Sequence, residues 1–204
     1  MVIRCGFLAV VDSTESVDAD AVLADVQRML AGALDGLLPL LSHVYREPPR
    51  YQLEEILRRW CDEEELDLIL TVGGTFPAPG PSAEEIVPEA TTAVLERLMP
   101  SLPETMRAKA VAKNPMAMLD RGVAGIRGRT LIINLPGGQA LTEAFLEGIS
   151  GVIPAVMVRI SVEDEQPVTE DALVEHGQEN IEPRSGALDE EEFAAFLQRR
   201  QKSE

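Results

Sequence analysis

The chain has 204 residues, 45% of them hydrophobic and 26% charged, which suits one packed domain plus a tail and excludes wholesale disorder. A net charge of −17, from 35 acidic and 18 basic side chains, argues against nucleic acid and anionic membrane surfaces as partners. No run of about 18 apolar residues reads as a membrane span, and two cysteines, Cys5 and Cys61, are too few for a disulfide framework or a zinc site, so reduced thiols in the cytoplasm are expected.

The first segment, MVIRCGFLAVVDSTES, has one arginine before its apolar residues but no signal-peptide cleavage pattern; residues 3–11 read as a buried strand. A helix follows, with Val22, Val26, Met29, Leu30, Ala33 and Leu37 on one face. A short strand near 41–46 precedes a helix carrying Leu53, Ile56, Leu57 and Trp60 at i, i+3, i+4 and i+7. LDLILTV (66–72) is a second buried strand and runs into Gly73-Gly74. Residues 88–99 predict a helix with Thr91, Val94, Leu95 and Leu98 inward, broken by Pro100 and Pro103, with a further helix over 104–112. GVAGIRGRTLIINLP holds two β-like runs joined by Arg127-Gly128-Arg129, the pattern of a hairpin, and helices at 138–149 and 151–161 close the body. There is no internal repeat.

Strand–helix alternation of this kind predicts a doubly wound, three-layer α/β/α domain over residues 1–160, its sheet mainly parallel with the hairpin at one side. Residues 161–204 carry a net −9 and few large apolar side chains, which predicts an acidic, mostly solvated extension. Asp189 and Glu192 resemble a capping box ahead of Phe193, Phe196 and Leu197, so a short helix is expected at 189–201.

In an open parallel sheet, ligands sit beyond the carboxyl ends of the strands. That rule selects 12–16, 47–50, 71–83 and 134–139. Two of these, Thr71-Val72-Gly73-Gly74-Thr75 and Asn134-Leu135-Pro136-Gly137-Gly138-Gln139, are uncharged, glycine-rich and followed by helices. Glycine lets backbone approach a ligand, and helix N-termini present unpaired N–H groups to phosphate. An acidic protein can bind an anion this way without a lysine. The bland alternative, two tight βα turns, remains open for either loop taken alone.

Other chemistry-bearing residues have simpler readings. His43 is expected to be partly buried or on the surface, Trp60 in the core or a subunit contact, and Met116 and Met118 packed beneath the hairpin. Arg121, Arg127 and Arg129 are expected to pair with acids between subunits, with phosphate collection near the hairpin as the alternative. Asp62-Glu63-Glu64-Glu65 reads as a solvated helix end.

From Leu68 to Gly148 the chain resembles the MoaB/Mog family of molybdenum-cofactor biosynthesis proteins, which includes the gephyrin G domain. The resemblance rests on LILTVGGT, IVPEATTAVLERLMP and NPMAMLDRGVAGIRGRTLIINLPGG, in that order and spacing. It implies molybdopterin as ligand, ATP as co-substrate and Mg²⁺, adenylyl transfer as the activity, and a homotrimer or homohexamer. It implies that Gly73, Gly74, Thr75, Asn134, Pro136, Gly137 and Gly138 form the pterin- and nucleotide-binding pocket. Where the family has a catalytic aspartate before Thr-Pro-Glu-Ala, this chain has Glu85, the implied Mg²⁺ ligand. Asp12, or Glu47, is the second candidate acid, and Arg50 stands where the family's other aspartate falls. The chain also carries Pro77, Pro79 and Pro81 in an inserted stretch, with a shortened first loop. Three readings follow: an adenylyltransferase, a catalytically impaired binding module acting as scaffold or regulator, or the fold reused for another small anion.

Overall fold

The computed structural model describes residues 3–11, 19–33, 40–46, 48–78, 80 and 86–161. Its elements are β1 (Cys5–Val11), α1 (Ala19–Ala33), β2 (Leu40–Arg46), α2 (Arg50–Asp62), β3 (Leu68–Val72), α3 (Val87–Val94), β4 (Arg97–Leu98), α4 (Ser101–Val111), β5 (Ala124–Arg127), β6 (Thr130–Leu135), α5 (Gln139–Ile149) and α6 (Ile153–Ser161), with a 3-10 turn at Pro115–Leu119. One six-stranded sheet runs in the order β2-β1-β3-β6-β5-β4. The first four strands are parallel, and β5 is antiparallel to both neighbours.

The layers follow from period-two alternation along the buried central strands β1, β3 and β6. Phe7 and Ala9, Leu68, Leu70 and Val72, and Leu131, Ile133 and Leu135 face one way, onto a core shared with α1, α4, α5 and α6. Leu8 and Val10, Ile69 and Ile132 face the other way, onto α2 and α3. This is the expected three-layer α/β/α domain. Trp60 is 1% exposed in the second core. Gly6 makes room for it, because a Cβ there would stand 2.7 Å from the indole Cε3.

Three expectations need correction. The helix expected over 88–99 ends at Val94; Leu98 lies in β4 and is 61% exposed instead of inward. Pro103 does not break a helix: α4 begins at Ser101, and a proline in the first turn removes an N–H that has no intrahelical acceptor. Met116 and Met118 do not pack beneath the hairpin; they are 52% and 71% exposed, and Ala117 between them is the buried residue. The hairpin forms as expected, with Arg127 paired to Thr130 and Gly128 at φ +54° in the connection. His43 is exposed and stacks on Tyr45 and Trp60. Arg127 pairs with Asp62 at 2.7 Å and Arg121 with Glu89 at 2.9 Å, so both find acids within their own chain. Among the described residues, no single helix is long and apolar enough to cross a membrane. Of the acidic extension expected over 161–204, Ser161 ends α6, and the rest, with its expected helix at 189–201, lies outside the described residues.

Candidate functional site

The chain leaves β1 to form β2 on one side and returns to form β3 on the other, so the sheet switches direction between β1 and β3. That switch point is where open α/β sheets place ligands. Beside it, β3 and β6 run parallel with Val72 opposite Leu135, and the Gly73 amide donates to the Leu135 carbonyl at 3.0 Å. The two glycine turns, some 60 positions apart in sequence, therefore start side by side on one rim.

Each turn leaves amides available. Gly73, Gly74 and Gly138 hold φ values of +93°, +67° and +88°. A Cβ on Gly74 would also meet Val87 Cγ2 at 2.8 Å, so this position requires glycine for backbone and for space. A Cβ on Gly138 would meet nothing within 4 Å, so that turn faces open space at the N-cap of α5. The amides of Gly74, Gly137 and Gly138 donate to no protein acceptor among the described residues. With Gln139 and Ala140 exposed at the start of α5, they can accept negative charge through backbone dipoles alone.

The second turn is braced from behind. Thr142 Oγ1 donates to the Pro136 carbonyl at 2.8 Å and to the Gly138 carbonyl at 3.0 Å. Gln139 Nε2 and Arg28 both donate to Asp25, which ties the start of α5 to α1. Asn134 is fully buried and engaged within the fold: Nδ2 donates to Thr71 Oγ1 at 2.8 Å and to Thr91 Oγ1 at 2.9 Å, while Oδ1 accepts from the Val123 amide at 3.1 Å. It frames the rim from below, locking β3, α3 and the start of the hairpin together.

Thr75 is fully buried, and its carbonyl accepts from the Arg121 amide at 2.8 Å. That bond brings in Asp120, an acid that sequence reasoning missed. Asp120 Oδ2 accepts from Arg107 Nη1 at 3.2 Å and from the Gly122 amide at 3.1 Å. Burial pushes the Asp120 carboxyl above its ordinary range; the Thr75 hydroxyl, Arg107 and the Gly122 amide pull it back, less strongly. Asp120 and Arg107 also line a cavity of about 350 Å³ on the same edge, with Leu98, Pro100, Pro103 and Gly122. A second cavity, of about 270 Å³, opens at the opposite edge, where Arg4, Asp67 and Arg129 stand at the starts of β1, β3 and β6.

Among the expected pocket residues, Gly73, Gly74, Thr75, Pro136, Gly137 and Gly138 meet on the rim, and Asn134 supports it. The acids expected to act, Glu85 and Asp12, and the alternative Glu47, lie outside the described residues. Among the described residues, no group of three or more His, Cys, Asp and Glu side chains could hold a metal ion. Arg50 is described: it opens α2 and donates through Nε to Glu54 Oε1 at 2.8 Å.

A doubly wound sheet that ends adjacent parallel strands in two amide-bearing glycine turns at its switch point has the architecture of a ligand-binding α/β domain. The family model described as a probable molybdopterin binding domain matches residues 49–156, just over half of the chain. The chain belongs to this family, the MoaB/Mog-like proteins of molybdenum cofactor biosynthesis. A molybdopterin adenylyltransferase of Helicobacter pylori is 41% identical over 102 residues, 50% of this chain and 56% of that protein. The chain thus spans little more than half the length of that relative. One from Haemophilus influenzae is 32% identical over 158 residues, covering 77% of this chain and 78% of that protein. Among solved structures, MoaB from Thermus thermophilus superposes with a TM-score of 0.66 at 36% identity, covering 78% of this chain and 96% of that one. Mog from Mycobacterium ulcerans gives 0.66 at 28% identity, covering 78% and 100%.

Proposed function

We propose that this domain binds molybdopterin together with ATP on the glycine rim and adenylates the pterin in molybdenum cofactor biosynthesis. The observation that carries the reading is the 3.0 Å bond from the Gly73 amide to the Leu135 carbonyl, which seats both turns on one edge. The Gly74, Gly137 and Gly138 amides are the groups that would hold phosphate oxygens, and Asn134, Thr142 and Pro136 keep those amides in place. In the transfer, an oxygen of the pterin's terminal phosphate attacks the α-phosphorus of ATP and pyrophosphate leaves. Preorganised donors of this kind act mainly by holding charge as it shifts between oxygens.

Mg²⁺, when bound, would neutralise the triphosphate. The family resemblance gives that role to Glu85, with Asp12 as second acid, and the described residues supply no alternative cluster. The same reading carries a homotrimeric or homohexameric assembly in the cytoplasm, with no nucleic-acid or membrane partner.

One observation favours a second reading. Arg50, at the position where the family keeps an acid, pairs with Glu54 and offers no carboxylate. A domain that retains the rim but not the acids would bind pterin or nucleotide and serve as a scaffold or regulator. Incubating the full chain with molybdopterin, ATP and Mg²⁺ separates the two. Pyrophosphate release supports the transferase; tight binding without release supports the scaffold; absence of binding to either ligand overturns both.

A further inference from the structure

Among the described residues, two buried oxygens beside the glycine turn after β3 find no hydrogen-bond partner: Thr75 Oγ1 and Asp120 Oδ1. The Thr75 residue and the Asp120 side chain are both at 0% exposure. They sit on adjacent strands of backbone, joined by the Arg121 amide's 2.8 Å bond to the Thr75 carbonyl. The hydroxyl is near enough to draw down the carboxyl's pKa, while the geometry falls short of a hydrogen bond. Each such orphan costs about 1–3 kcal/mol, and native structures retain few. One contact between them would satisfy both.

The rest of Asp120 is held fast. Arg107 Nη1 donates to Oδ2 at 3.2 Å, to the Gly122 carbonyl at 3.2 Å and to the Asp120 carbonyl at 3.5 Å, so α4 anchors this bend at three oxygens. Among the described residues, the Thr75 side chain has no such anchor. We propose that Asp120 is a positioning residue for the nucleotide site: held by Arg107, it closes a hydrogen bond to Thr75 and so sets the direction of the Gly74 and Thr75 amides. The proposal rests on the function given above for what those amides bind, but the positioning itself can be read without a ligand.

The test is hydrogen–deuterium exchange of the full chain, with AMP titrations alongside, on Asp120→Ala, Asp120→Asn, Thr75→Val and the Asp120→Ala/Thr75→Val double variant. Asp120→Ala and Thr75→Val should each speed exchange across residues 72–76 about tenfold, the equivalent of one lost hydrogen bond, and leave α2 unchanged. The double variant should be no worse than either single one, because both remove the same contact. Asp120→Asn should restore protection, since its amide can donate to Thr75 Oγ1 while its oxygen still accepts from the Gly122 amide. Unchanged exchange in Asp120→Ala, additive effects, or an Asn variant as impaired as Ala would overturn the proposal. If Asp120→Ala does not fold, Thr75→Val must still speed exchange and Asp120→Asn must not. Wild-type protein that fails to bind AMP counts against the nucleotide site, while the exchange pattern still judges Asp120.

Discussion

Substituting Gly74 by alanine tests both requirements that the rim places on this residue. At φ +67° an L-residue costs about 1–2 kcal/mol, because its Cβ crowds the following carbonyl. The new Cβ would also stand 2.8 Å from Val87 Cγ2, well inside ordinary contact. Val87 is 2% exposed at the start of α3, so it gives way only by disturbing packed neighbours, and overpacking of this sort costs about 1–3 kcal/mol. The expected loss is therefore about 2–5 kcal/mol in urea unfolding, with weakened AMP binding measured by calorimetry on the folded fraction. In a Val87→Ala background the steric part should vanish, leaving about 1–2 kcal/mol from the backbone alone. A loss below about 0.5 kcal/mol, the range of an ordinary surface change, would refute the reasoning. So would a penalty that does not respond to Val87→Ala.

Asn134→Ala should cost about 2–4 kcal/mol in the same assay, since it strands the Val123 amide and removes the link between Thr71 and Thr91; a loss under about 1 kcal/mol would contradict the bonding described. Burial raises the Asp120 carboxyl's pKa, so the folded state holds that proton more tightly than the unfolded chain. Its contribution is complete below the unfolded value, about 3.9, and is lost as pH rises through the raised folded value. The unfolding free energy of Asp120→Asn minus that of wild type should accordingly rise with pH across this window and then level; a flat difference would contradict the shift. The Cys61 thiol is pushed up to about 11, chiefly by burial, so at pH 8 about one in a thousand is ionised. Iodoacetamide should label it roughly a hundredfold more slowly in the folded chain than after unfolding, and comparable rates would show that it is not protected.

The fold was legible where burial is continuous and spacing is regular. LDLILTV and TLIINLP are short and mostly apolar, so they read as strands covered on both faces, and the glycines that follow mark where each strand must turn. Thr91 on the inward face of α3 was a polar residue in need of a partner, and Asn134 is that partner. Local pattern failed where tertiary contacts override it. Leu95 and Leu98 keep helical spacing with Val94, yet the chain turns out of α3 to pair Arg97 and Leu98 with β5. Met116 and Met118 are apolar but lie on a single 3-10 turn too short to bury both neighbours of Ala117. Asp120 carried no signal at all. It sits in a connection without periodicity, and its role depends on Arg107 and Thr75, which reach it only through the packing of α4 and the β3 turn.

The most direct measurement is an amide NMR titration of the full chain with AMP and with ATP. Shifts concentrated at Gly73, Gly74, Gly137, Gly138 and Gln139, saturating together with one affinity, are the predicted result. Shifts confined to the opposite edge, around Arg4, Asp67 and Arg129, with the glycine amides unmoved, would contradict the account.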